Sequence, residues 1–231
     1  MPDNNFFNNK QGWNFKKELI RKSIHLFSVI FLVVYVLVAN FVNHKIALLF
    51  LSFLLVILFE LEYARVEVGA KIPLLRKLWE YRRDKEKNHM GAEIYFLLGA
   101  IISLAIYDLR IAAAGILMVT FGDMAAAVIG TRFGRTPLPY IKDKAWEGFL
   151  AELAVNLLIG FIVLRQPVNG KMWWDGSLFP AGEPMWIIIV IMAVTATVVE
   201  TAVKKLDDNL LVPVIAGFNG EIIYLLIKGS F

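Results

Sequence analysis

Asp123 stands inside an apolar, helix-forming run, directly after Gly122, in the stretch Phe121–Gly148 (FGDMAAAVIGTRFGRTPLPYIKDKAWEG). The spacing predicts that the helix breaks at Gly130 and passes into a short loop carrying Arg132, Gly134, Arg135, Lys142 and Lys144. Glu147 and Gly148 then open the next apolar run. An acid at a helix end, glycines beside it and four cations within a few positions suit a metal-bound polyphosphate. Arginine forks grip phosphate oxygens in pairs and lysine acts as a point charge. Phosphoryl transfer needs positioning and charge neutralisation more than covalent chemistry, and this set provides both.

Each of these residues also has a plainer reading. A charge inside a spanning helix costs about 2.5–3.5 kcal/mol on insertion scales, so Asp123 implies either a function or a salt bridge to a neighbouring helix. Any single loop cation serves equally as a juxtamembrane anchor, and the glycines serve equally for helix packing. Glu147 lies in the first turn of its helix, where an acid favours the dipole, whereas Glu152, one turn deeper, is harder to excuse as a cap. Asp207, Asp208 and Asn209 precede the last apolar run; one of them can be its N-cap, which leaves two polar groups to explain. Glu200 falls near the same end of the preceding run, and Glu93 and Glu221 share the ambiguity of Glu147. Arg21 and His25, four apart, share a helix face with Lys22 adjacent. Pro213, Gly217 and Gly220 interrupt the last run, and the carbonyls they free must face protein or a water-filled cavity.

The elements that must position these residues are membrane-grade. Hydrophobic residues make up 58% of the 231 and charged ones 19%, beyond the usual apolar content of a soluble domain. A spanning helix needs about 20 apolar residues. Spans are predicted at roughly 24–41, 46–61, 92–107, 111–129, 149–164, 185–203 and 210–227, after a polar, Asn-rich start. Residues 62–88 interleave basic and apolar positions, the pattern of a helix lying in the interface. An N-terminus inside puts 19 of the 24 cations on the cytoplasmic side, as the positive-inside rule requires. The expected fold is therefore one all-α integral membrane domain: a bundle of about seven transmembrane helices, N-terminus cytoplasmic, with a basic interfacial helix between spans two and three. Cysteine is absent, which excludes disulfides, thiolate metal sites and a Cys nucleophile. There is no P-loop, no protein-kinase signature set and no H-E-x-x-H, and no aromatic-and-basic surface of a nucleic-acid binder.

Three motifs in order resemble the cytidine-nucleotide-dependent lipid kinases: dolichol kinase, phytol kinase and the CTP-dependent diacylglycerol kinase. The pattern G-D-x-x-A-x-x-x-G-x-x-[FY]-G, followed by a basic stretch and K-[KS]-x-E-G, falls on Gly122, Asp123, Ala126, Gly130, Phe133, Gly134, Lys142, Lys144, Glu147 and Gly148. ELIRKSIH (Glu18–His25) is similar to E-x-x-R-K-x-x-H, and ETAVKKLDDNLLVP (Glu200–Pro213) to E-x-x-x-x-x-x-D-D-N-x-x-x-P. K-x-x-E-G also occurs in the related phosphatidate cytidylyltransferases, but their H-G-G-x-x-D-R-x-D signature is missing here.

The resemblance implies CTP and Mg²⁺ as cofactors and a lipid alcohol (dolichol or polyprenol, phytol-like, or diacylglycerol) as acceptor. It points to Asp123, Asp207 and Asp208 as metal and catalytic residues, with Glu200 or Asp123 taking the hydroxyl proton. Gly122, Gly130, Arg132, Gly134, Arg135, Lys142, Lys144, Glu147, Gly148 and Asn209 would hold the nucleotide, with Arg21, Lys22, His25 and Glu93 as an additional set. The nucleotide is expected from the cytoplasm, with no nucleic-acid partner and no indicated oligomer. The expected location is the plasma membrane of a prokaryote, or the endoplasmic reticulum or plastid of a eukaryote. The competing expectations are cytidylyl transfer, which makes a CDP-lipid, and a small ion-coupled transporter.

Overall fold

A computed structural model describes residues 22, 26, 28–69, 90–139, 141, 144–168, 182–203 and 206–229. Among them every regular element is a helix: α1 (Val29–Phe41), α2 (His44–Val66), α3 (Ala92–Ile106), α4 (Leu109–Phe133), α5 (Trp146–Val163), α6 (Trp186–Ala202) and α7 (Asp208–Gly229). α2, α4, α5 and α7 are long and apolar enough to cross a membrane, while α1, α3 and α6 are shorter apolar helices. The chain divides into two compact units, Met1–Ile101 and Ile102–Phe231.

In the first unit, Asn43 starts α2 by accepting the Ile46 amide on its side chain at 2.9 Å, an N-cap that satisfies an otherwise orphaned donor. Tyr35 of α1 meets His44 through its hydroxyl and edge-on through its ring. α2 runs past the expected span end at residue 61 and keeps Glu62 and Arg65 within the helix. The reason is a local ion pair. Arg65 Nη2 donates to Glu62 Oε2 at 2.8 Å, and the Gly91 amide donates to the same oxygen at 3.0 Å. Buried Glu62 thus ties the end of α2 to the start of α3, which corrects the placement of residues 62–66 in an interfacial segment. The rest of that segment, 70–89, lies outside the described residues, as do Arg21 and His25. Lys22 is buried and Glu93 half-buried in the first turn of α3.

The second unit packs α4 against α5 and α7, and α6 against both α5 and α7. Close approach of α4 to α7 depends on Gly115, where a Cβ would stand 3.2 Å from the Pro213 backbone. Asp108 caps α4 by accepting the Arg110 amide at 2.9 Å. Arg110 is buried, and its guanidinium donates to both Asp108 oxygens (2.9 and 3.0 Å), to the Arg165 carbonyl (3.1 Å) and to the Tyr224 hydroxyl (3.0 Å). The Asp108 amide donates to Glu221 Oε2 at 2.8 Å, so Glu221 belongs to this staple.

Burial pushes the Asp108 carboxyl up, and the Arg110 guanidinium more than offsets it, so the group lies below the ordinary carboxylate value. A depressed carboxylate contributes stability above its unfolded pKa and loses it as pH falls through the folded one. Arg110→Met is expected to cost about 3–5 kcal/mol, because it leaves a half-buried carboxylate without its cation. The deficit should be largest near neutral pH and shrink as pH falls, because protonation of Asp108 takes the same contribution from wild type and relieves the unpaired carboxylate of the variant. Thermal unfolding in detergent across pH 3–7 measures it.

Candidate functional site

α4 is not a uniform α-helix. Residues Met118–Gly122 form a π-helical turn, and α-geometry resumes at Asp123. Such a wide turn rotates the residues beyond it relative to those before it and is frequent at functional sites. Here half-buried Asp123 is the first residue after it.

The glycines beyond it do not break the helix. α4 continues through Gly130 to Phe133, so the expected break at Gly130 is corrected and Arg132 belongs to the last helical turn. The cause is contact with α5. A Cβ at Gly148 would stand 2.9 Å from the Ala126 carbonyl oxygen and 3.2 Å from Gly130 Cα. Gly130 and Gly148 are thus the floor of a helix crossing, where only small residues let backbones meet. Chain reversal comes at Gly134, whose amide donates to the Gly130 carbonyl at 3.1 Å and where a side chain would strike Ala145.

The segment between α4 and α5 is a short hairpin. Trp146 donates to the Thr136 carbonyl and Leu138 to the Lys144 carbonyl, both at 2.9 Å. Glu147 braces it from the helix side, its two oxygens accepting the Thr136 amide at 3.2 and 3.3 Å. Arg132 and Arg135 are exposed, Arg132 lying over the Phe133 ring at 5.5 Å. Lys142 is outside the described residues. Lys144 points the other way: its Nζ donates to Glu200 Oε2 at 2.8 Å and to the Glu200 carbonyl at 2.6 Å.

Glu200 is buried, and behind it lies a polar interior. Glu152, 2% exposed, is within hydrogen-bonding range of Glu200 and within electrostatic reach of Asp123 and Lys144. Its Oε2 has no hydrogen-bond partner among the described residues. One turn further along α5, fully buried Asn156 donates from Nδ2 to Thr197 Oγ1 at 3.0 Å. The structure therefore brings Asp123, Lys144 and Glu200 into one electrostatic neighbourhood with Glu152.

At the start of α7, Asp207 takes the cap position. Its Oδ1 accepts the Asn209 amide at 3.0 Å and Asn209 Nδ2 at 2.7 Å, while Leu210 and Leu211 donate to its carbonyl. Asp208 is the first helical residue. Asn209 is buried with Oδ1 unpartnered among the described residues, and Pro213 lacks the N–H that a regular helix would supply to the Asn209 carbonyl. Hard cations take such oxygens. Mg²⁺ is commonly held by one or two carboxylates plus substrate phosphates, and the carboxylates of Asp123, Asp207 and Asp208 are donors of that chemical type. No group of three or more acidic or histidine side chains poised around an ion occurs among the described residues.

Asn156 and Thr197 were not singled out by sequence reasoning, and Glu152 was given no role. The signal available was polar residues four apart in apolar helices, Glu152–Asn156 on α5 and Thr197–Thr201 on α6. Gly148→Ala is expected to force α4 and α5 apart and to cost about 1–3 kcal/mol, as overpacking does. The unfolding midpoint in detergent checks it.

Fold and site together define a class: a helical protein of membrane-spanning composition with carboxylates sunk among its helices and a basic hairpin beside them. Its relatives make that class particular. The chain is 27% identical over 136 residues to a probable chloroplastic phytol kinase of Triticum aestivum, covering 57% of this chain and 44% of that protein. It is 23% identical over 137 residues to CTP-dependent diacylglycerol kinase 1 of Schizosaccharomyces pombe (58% and 61% covered). The namesake in Saccharomyces cerevisiae is 23% identical over 209 residues (87% and 71%). The chain spans about half the length of the first two. No protein-family model and no solved structure matches it. Its curated homologues are thus phytol kinases and CTP-dependent diacylglycerol kinases, and the chain is related to that group of lipid kinases.

Proposed function

We propose that the chain is a CTP-dependent kinase that phosphorylates the hydroxyl of a membrane lipid alcohol, with Mg²⁺ as its metal. One observation carries the reading. Asp123 follows a π-helical turn and stands within electrostatic reach of Glu152, which in turn neighbours Glu200 and Lys144, in a chain whose relatives are named for phytol or for CTP and diacylglycerol. Asp123, with Asp207 or Asp208 and the Asn209 oxygens, would hold the metal. When bound, it would supply charge neutralisation at the β- and γ-phosphates.

The chain's own residues do the rest. Arg132 and Arg135 are exposed and available to phosphate oxygens, with Lys142 in the same segment. Lys144, joined to Glu200, would stand between the acids and the phosphates. Glu147 keeps the hairpin closed on α5. Glu200 or Asp123 would take the hydroxyl proton as the lipid oxygen bonds to the γ-phosphorus and CDP leaves. The seven helices would all lie in the bilayer, N-terminus cytoplasmic, with the nucleotide on the cytoplasmic face and the lipid entering laterally. Glu93 and Lys22, with Arg21 and His25, are a further candidate set.

The test is γ-labelled CTP offered with phytol, polyprenol or diacylglycerol to the purified protein. Label in the lipid is the expected result, and Asp123→Asn should reduce it to background while the protein still inserts and purifies. With phosphatidate as acceptor, lipid labelled only from α-labelled CTP, with pyrophosphate released, would establish cytidylyl transfer instead. Near-normal turnover in Asp123→Asn would remove the central assignment.

A further inference from the structure

Gly122 and Asn156 occupy a single space. A methyl group at Gly122 would collide with Asn156 Oδ1 and stand 3.1 Å from both Asn156 Cγ and Nδ2. The amide cannot readily turn away, because its orientation is dictated from behind. The Thr197 hydroxyl gives its hydrogen to the Ala193 carbonyl at 2.9 Å, so it can only accept from Asn156, and the donor that reaches it is Nδ2. Oδ1 must then face α4. It is wholly buried there, with no hydrogen-bond partner among the described residues.

An unsatisfied buried carbonyl is a cost that a leucine of similar volume would not carry. Asn156 is therefore a poor choice for packing alone. Its contact falls on the last residue of the π-helical turn, immediately before Asp123.

We propose that Asn156, held by Thr197, is a positioning residue for the phosphoryl-transfer site: its amide fills the space left by Gly122 and so fixes the turn that presents Asp123. The inference rests on the kinase reading above, and it gives the glycine before the acid a steric reason. Gly122 is small because the amide from α5 occupies the place of its side chain. The chain thereby carries the register of Asp123 on two helices, through the order α6 Ala193, Thr197, α5 Asn156, α4 Gly122.

A compensating pair of substitutions tests it, assayed with γ-labelled CTP and whichever lipid alcohol the wild type phosphorylates. Gly122→Ala should lower kcat about a hundredfold, the scale of a misplacement near 1 Å. Asn156→Ala should lower kcat per folded molecule about tenfold with KM for CTP held. Inactive protein also lowers apparent kcat at constant KM, so rates are normalised to the folded fraction from gel filtration and thermal midpoints are recorded alongside. Gly122→Ala combined with Asn156→Ala should recover to the level of Asn156→Ala alone, because the added methyl then has room. A double variant no better than Gly122→Ala, or Asn156→Ala with unchanged kcat, overturns the proposal. Absence of wild-type transfer to any alcohol fells the kinase reading and this inference with it, whereas wild-type transfer without rescue fells this inference alone.

Discussion

The Lys144 ammonium reaches from the hairpin to the carboxylate and the carbonyl of Glu200, and the polar interior of the second unit is organised around that contact. Carboxylates among apolar helices are expensive unless a cation and hydrogen bonds attend them. Glu200 is buried, Glu152 still more so, and Asp123 stands within electrostatic reach of Glu152. Lys144 is the cation set against this group, held to Glu200 by direct hydrogen bonds rather than by proximity alone. It lies only three residues before Glu147, so the hairpin that Glu147 braces is also what delivers the counter-charge. Loop geometry and buried electrostatics are in this way one constraint.

Backbone proximity is the second constraint, and it follows from the first. For Glu152 and Asn156 on α5 to face Asp123 on α4, the two helices must nearly touch. Gly148 against Ala126 and Gly130 provides the crossing at one level, and Gly122 against Asn156 provides it at another. At such separations a single methyl group collides with backbone or with a held amide. Steric fit is therefore the reason for glycine at these positions; unusual backbone angles are not required, since Gly122 and Gly134 both have negative φ.

Much of this was legible from residue order. Apolar runs of helical length predicted the helices to within a few residues, because a stretch that is hydrophobic all round has to be buried or lie in lipid. Asp123, Glu200 and Asp207–Asn209 drew notice for the converse reason, as charge where charge is costly. Reading glycine as a helix breaker failed at Gly130, where tertiary contact outweighs propensity. The end of α2 was set too early because the Glu62–Arg65 pair with Gly91 is a folded-state contact that the charge pattern alone did not reveal.

Sequence by itself determined the helical, membrane-grade composition, the kinship to lipid kinases and which charged residues are candidates for the site. These follow from local quantities: transfer free energy along the chain and the spacing of a few motif positions. Only the tertiary structure decided that Lys144 belongs to Glu200, that Asp207 is the cap of α7, that Glu147 holds the hairpin, and that Asn156 meets Gly122. Each of those is a pairing between residues distant in the chain or a choice among several capable neighbours. Such choices are made by which backbones can approach and which donors are already engaged, and neither is written in the order of residues.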